Sequence, residues 1–194
     1  MSRFFSHSAE HSAKHTFFST RQLVFCAMAV AAAMLTSYIK IFKAPMGGSV
    51  TLLSMLFICL AGHWYGLRTG LITAVAYGIL QLIADPYVIS IPQLFTDYIF
   101  AFGALGLSGL FQNRKNGLVK GYLAGVLGRY FFSFLSGMIF FGTYAADYGM
   151  AAPLYSLLYN GSYLFCEAAM TLVILSLAPI KKIMGQLKSM AHTS

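Results

Sequence analysis

The chain has 194 residues, 58% of them hydrophobic and 9% charged, with a formal net charge of +8. An ordinary soluble domain is about 25% charged, so this composition excludes a soluble fold and describes one all-α integral membrane domain. Apolar runs this long, without period-two alternation, also exclude the strands of an outer-membrane barrel.

Residues 1–21 read as a polar tail, cytoplasmic or interfacial. It holds a short repeat, HSAE-HSAK-H, that spaces His7, His11 and His15 by four. On a helix these would share a face and could meet a metal. The plainer reading is an interfacial tail in which Phe4, Phe5, Phe17 and Phe18 touch lipid headgroups. The apolar run that follows is too long for a signal-peptide core.

The first helix is expected from Gln22 to Phe42. Its middle, CAMAVAAAM, places Ala27 and Ala31 one turn apart, and likewise Ala29 and Ala33. Small residues at this spacing let another helix approach closely, either within the bundle or from a partner subunit. Pro45 and the glycines of PMGGS then end the helix in a tight turn. A short second helix, VTLLSMLFICLAGHWY, precedes a third from Leu67 to Ala84. Gly62, Gly66, Gly70, Ala74 and Gly78 recur every fourth residue across that junction, again a close-packing pattern. Trp64 is expected as an interfacial anchor.

The fourth helix, PQLFTDYIFAFGALGLSGLF, opens on Pro92, where a missing N–H costs nothing. Asp97 lies about a turn inside it, flanked by Gln93 and Tyr98. A carboxylate there is costly without a partner and is a functional-site candidate. The fifth helix is expected from Leu118 to Phe141. The sixth begins near Pro153 and ends before Pro179. The count is about six spans of roughly 20 residues each. The domain reading is a tail at 1–21, one membrane domain at 22–180 and a basic cytoplasmic tail at 181–194.

With six spans both termini share a side. Arg3, Lys14, Arg21, Arg68, Arg114, Lys115, Lys120, Lys181, Lys182 and Lys188 collect there, against Lys40 and Lys43 on the other. The positive-inside rule puts both termini in the cytoplasm of a multi-pass cell-membrane protein. Asp85, Asp97 and Asp147 then fall at or near the outer face, which suits attraction of a cation. Arg129 and Glu167 lie at similar depth, about 16 Å from the inner end, and are expected to pair. Cys26, Cys59 and Cys166 all fall in predicted spans and read as buried thiols.

Helix six carries Tyr155, Tyr159 and Tyr163 at i, i+4 and i+8, with Asn160 adjacent. Ser133, Gly137, Phe141 and Tyr144 gather toward the outer end of helix five. With Gln93, Asp97 and Tyr98 these form aromatic planes, an amide and a carboxylate at one level. Such a set suits a flat, cationic, nitrogen-rich solute: rings stack, cation–π attraction adds about 0.5–2 kcal/mol, and the amide reads donors and acceptors. No phosphate loop, HExxH or GxSxG is present, so neither ATP hydrolysis by that route nor an enzyme is expected, and no cofactor or metal.

At these residues the chain resembles the thiamine-specific substrate-binding (S) components of energy-coupling factor (ECF) vitamin transporters. The resemblance rests on PMGGSVTLLSM, on LRTGLITAVAYGILQLIADPYVISIPQLFTDYIFAFGALGLSGLF, and on RYFFSFLSGMIFFGTYA followed by LYSLLYNGSY. It implies six helices, a thiamine site near the outer face, and docking on a transmembrane coupling protein driven by two ATPase subunits. The family's docking alanines fall on Ala27 and Ala31. Its acidic–Tyr pair falls on Asp97 and Tyr98, and its pyrimidine-reading Tyr and Asn on Tyr155 and Asn160. Some members have His where this chain has Ser133, and a stacking Trp where it has Phe141. Phe141 and Tyr144 are expected to stack on the ligand. Three rivals stay open: an S component for a thiamine precursor or another vitamin, a free-standing cation-coupled carrier, and a non-transporting scaffold.

Overall fold

The computed structural model describes residues 18–44 and 47–192; the histidine repeat of the tail and Pro45 lie outside them. Helix α1, Thr20–Ser37, starts on a capping box in which the Ser19 hydroxyl accepts from the Gln22 N–H and the Gln22 side chain accepts from the Ser19 N–H. It stops five residues short of the expected end. The Thr36 hydroxyl donates back to the Ala32 carbonyl and Ser37 to Met34. The segment beyond, with β-branched Ile39 and Ile41, is a weaker helix former. It forms an antiparallel hairpin instead: β1, Lys40–Lys43, pairs with β2, Ser49–Thr51, in the register Phe42 to Val50 and Lys43 to Ser49. Gly47 takes a φ of +92°, the left-handed backbone that favours glycine.

Helix α2, Ser54–Tyr65, is therefore shorter than expected, and ten of its twelve residues are buried. It is the central post of the bundle. Helix α3 spans Leu67–Ala84, as expected. Helix α4, Ile91–Phe111, is irregular: a first turn to Leu94, a π-helical turn over Phe95–Phe100, a short α stretch and a 3-10 end over Ala104–Phe111. Helix α5 covers Gly117–Phe140 and α7 covers Ala152–Ser176, with Pro153 in the first turn of α7. Between them lies a short helix the sequence reading did not anticipate, α6, Gly142–Asp147. Among the described residues, five helices (α1, α3, α4, α5 and α7) are long and apolar enough to cross a membrane.

The glycine repeat sits where helices touch backbone to backbone. A Cβ on Gly78 would lie 2.0 Å from the Tyr98 carbonyl oxygen, and one on Gly106 would lie 2.4 Å from the Leu71 nitrogen. Close approach replaces the hydrophobic drive that lipid cannot supply. On α1 the two alanine pairs separate: Ala29 and Ala33 face the core, whereas Ala27 and Ala31 are exposed beside Leu23, Met28 and Leu35. Of the three free cysteines only Cys59 is fully buried; Cys26 is half-buried and Cys166 faces outward.

The basic stretch after α7 is also helical. Helix α8, Ala178–His192, follows an extended Leu177 and packs across one end of the bundle. The Tyr65 hydroxyl donates to the Ala191 carbonyl, and the Lys188 ammonium to the Gln112 carbonyl. Trp64 is consequently buried, edge-on to Phe25 at 5.6 Å, and is not an exposed interfacial anchor. The start of α1, the α2–α3 junction, the α4–α5 loop and α8 thus meet at one end. Lys40, Lys43, Asp85 and the hairpin lie at the other.

Candidate functional site

The hairpin, the end of α3, the 85–90 loop and helices α4, α5 and α7 enclose a cavity of about 150 Å³. Asp97, Tyr98, Ser133, Phe141, Tyr155 and Asn160 all line it. Tyr144 stands one layer behind, stacked on Phe141 with ring centroids 6.1 Å apart.

Asp97 is carried on the π turn of α4. Such turns interrupt the regular ladder and recur at functional sites. Its carboxylate accepts from the Gln93 amide at 2.5 Å. Gln93 is itself fully buried: its Nε2 also donates to the Tyr87 carbonyl at 3.1 Å, and its Oε1 accepts from the Ile89 N–H at 3.1 Å. One amide therefore fixes the carboxylate and the 85–90 loop together. The Tyr98 hydroxyl serves the same loop, accepting from the Tyr87 N–H at 2.7 Å and donating to the Asp85 carbonyl at 3.2 Å.

That loop brings in Tyr87, which the sequence reading did not single out. Its ring stacks on Phe141 at 6.0 Å and its hydroxyl lies 3.2 Å from that of Tyr144. Nothing in the stretch DPYVIS is periodic, so only the clustering of Pro86 with an aromatic residue could have pointed there. At the mouth, Lys40 of β1 forms an ion pair and hydrogen bond with Asp85. The lysine holds the Asp85 carboxyl below its usual range.

On α7 the tyrosines form a ladder. Tyr155 stacks on Tyr159 at 5.8 Å and 14°, and Tyr148 stacks on Tyr155 at 5.4 Å. The Tyr159 hydroxyl accepts from the Gly48 N–H at 3.0 Å, joining the hairpin to the ladder. Asn160 is held by its neighbours: its Nδ2 donates to the Ser133 and Ser156 carbonyls, and its Oδ1 accepts from the Tyr163 hydroxyl at 2.8 Å. Among the described residues Tyr163 is the one donor to Oδ1, and a carbonyl oxygen accepts two hydrogen bonds, which leaves room there for one more donor.

Arg129 and Glu167 both line the cavity but do not pair: the Lys40–Asp85 contact is the only ion pair among the described residues. The Arg129 guanidinium lies 4.1 Å over the Phe102 ring. Glu167 accepts instead from Thr51, Ser54 and Met55. The expectation overlooked that backbone N–H groups at a helix start can neutralise a carboxylate as well as a guanidinium can. The cavity wall thus carries three carboxylates (Asp85, Asp97, Glu167) and two cations (Lys40, Arg129). The excess is negative.

Residues 23–186 match the family model described as thiamine transporter protein. Thiamine transporter ThiT of Bacillus subtilis (strain 168) is 30% identical over 172 residues, spanning 80% of this chain and 88% of that protein. Thiamine transporter ThiT of Lacticaseibacillus paracasei is 31% identical over 129 residues, 56% of this chain and 64% of that protein. The solved structure of ThiT from Listeria monocytogenes superposes with a TM-score of 0.66, covering 81% of this chain and 94% of that one. At 24% identity this last likeness concerns the fold.

Proposed function

The chain belongs to the thiamine transporter protein family, a family of multi-pass membrane transporters and not of enzymes, and from that premise we propose that it is the thiamine-binding S component of an ATP-driven ECF importer. The observation that carries the ligand reading is the Asp97 carboxylate, fixed by buried Gln93 at a cavity walled by stacked aromatic rings. Thiamine is a flat aminopyrimidine joined to a cationic thiazolium. Asp97 balances the thiazolium charge or holds the aminopyrimidine. Tyr155 and the spare Oδ1 site of Asn160 read the pyrimidine, Phe141 and Tyr144 supply the stacking surface, and Tyr98 and Ser133 complete the wall.

Thiamine reaches the cavity from outside, displaces water, and is covered by the hairpin and the α5–α7 connection. The termini and the basic end of the bundle are cytoplasmic, in keeping with the positive-inside rule. The exposed Ala27 and Ala31 face of α1 docks on a transmembrane coupling protein, and two ATPase subunits drive release inside. The chain offers no phosphate loop of its own, which supports a division of labour among subunits.

Uptake of labelled thiamine into cells lacking their own thiamine uptake tests the subunit reading. Accumulation is expected only when the coupling protein and both ATPase subunits are co-expressed. Accumulation by this chain alone would make it a free-standing carrier. Competition by unlabelled aminopyrimidine precursors that outdoes thiamine would reassign the ligand.

A further inference from the structure

Glu167 is 3% exposed and lies within a membrane-spanning helix. Removing a carboxylate from water is costly unless every oxygen is engaged. Both are. Oε2 accepts from the Thr51 N–H at 2.9 Å and from the Thr51 hydroxyl at 2.8 Å; Oε1 accepts from the Ser54 hydroxyl at 3.2 Å and the Met55 N–H at 3.3 Å. Thr51 ends β2, and Ser54 and Met55 open α2. The carboxylate therefore straddles the junction between the hairpin and the central helix, with the positive end of the α2 dipole toward it.

That junction is strained. Leu53 adopts φ 64° and ψ 12°, a left-handed conformation rare for a bulky side chain. Such strain persists where surrounding contacts over-determine it, and Glu167 supplies contacts on both sides of Leu53. A second anchor lies along the same helix: Tyr159 accepts from Gly48 at the other end of β2. Tyr159 and Glu167 are eight residues apart, about 12 Å on a helix. Gly48 to Thr51 spans about 10 Å as extended chain. Strand β2 is thus laid along α7 and pinned at both ends, on the helix that also carries Tyr155 and Asn160.

We propose that Glu167 is a positioning residue that locks the hairpin cover to the ligand-reading face of α7, so that the cover is held over the cavity by a buried carboxylate outside the ligand's contact set. The effect on ligand retention rests on the thiamine reading above; the effect on the hairpin does not.

Glu167→Gln is the discriminating variant, because it keeps the side-chain size but replaces one oxygen by an NH₂ group. Whichever way the amide turns, that group confronts a backbone N–H, of Thr51 or of Met55. Hydrogen exchange on the ligand-free protein should show the amides of residues 49–55 exchanging at least tenfold faster, with α3 and α5 unchanged. Thiamine dissociation, followed by stopped flow, should accelerate about tenfold with the association rate within threefold of wild type. Two results overturn the proposal. Exchange at 49–55 unchanged while binding falls would make Glu167 a direct ligand contact. Exchange raised throughout the bundle would make it a general stability element. If wild-type protein does not bind thiamine, the ligand reading fails while the exchange experiment still decides the role of Glu167.

Discussion

Tyr98 shows how a side chain can border a cavity while its polar atom is already committed. Its hydroxyl holds the Tyr87 N–H and the Asp85 carbonyl. A Phe at this position keeps the ring that stacks on Phe102 and leaves a backbone N–H without its partner, a loss of about 1–3 kcal/mol. Tyr98→Phe should therefore lower thermal stability measurably and raise hydrogen exchange at Tyr87 before it touches the cavity wall. An unchanged Tyr87 amide would mean that the loop is held by Gln93 alone. The sequence placed Asp97, Tyr98, Tyr155 and Asn160 near one another because each lies on a long helix whose phase and depth can be counted, and Phe141 because it caps the end of one. It did not place Tyr87, which depends on a loop, nor the partners of Glu167, which depend on where a short hairpin ends. Helical periodicity carries to neighbouring turns; it says nothing of tertiary hydrogen bonds made by irregular chain.

Among the elements, the α3–α4 seam and the hairpin make the clearest predictions. Gly78 meets the Tyr98 carbonyl so closely that an added Cβ would sit 2.0 Å from it. Gly78→Ala must push the π turn of α4 away, displacing Asp97 and Tyr98 together, at a cost of about 1–3 kcal/mol typical of overpacking. Gly185 on α8 has nothing among the described residues within 4 Å of such a Cβ, so Gly185→Ala should stabilise by about 0.5–1 kcal/mol and leave ligand binding unchanged. Thermal unfolding of the two variants side by side checks both signs. The hairpin mouth responds to pH. Lys40 depresses the Asp85 carboxyl below its ordinary 3.8, so the contribution of this pair is fully present above that value and lost as pH falls through the lower folded-state value. Because the Asp85 side chain is 55% exposed, the contribution is small and screened by salt. Exchange protection of the hairpin should be level from pH 7 to 5 and fall below about 4. Asp85→Asn should remove that dependence. Only the first strand of the hairpin overlaps the helix expected to run to Phe42; its pairing with SVT across Gly47 ends that helix early.

At the scale of the whole molecule, the bundle presents two different surfaces. One end collects cations and is closed by α8, while the other carries the cavity, the hairpin and most of the carboxylates. The outward face of α1 combines Ala27 and Ala31 with flanking large apolar residues, a form suited to close helix approach. Ala31→Trp should leave thiamine binding by the isolated chain unchanged and reduce uptake through the assembled complex at least tenfold; equal uptake would move the docking face elsewhere. Composition and helix phase conveyed the membrane class and the alanine pairs. The inner and outer assignment of those pairs needed the bundle, because two stripes a few residues apart differ only in which one meets α2 and α3. In the proposed function this cavity captures thiamine through Asp97. Calorimetric titration of thiamine into the purified wild-type protein and into Asp97→Asn tests it most directly. Tight binding by the wild type and a 10- to 100-fold weakening in the variant are expected, about the 1.5–3 kcal/mol of a hydrogen bond to a charged group. Equal affinity in the two proteins, or no binding by either, would contradict it.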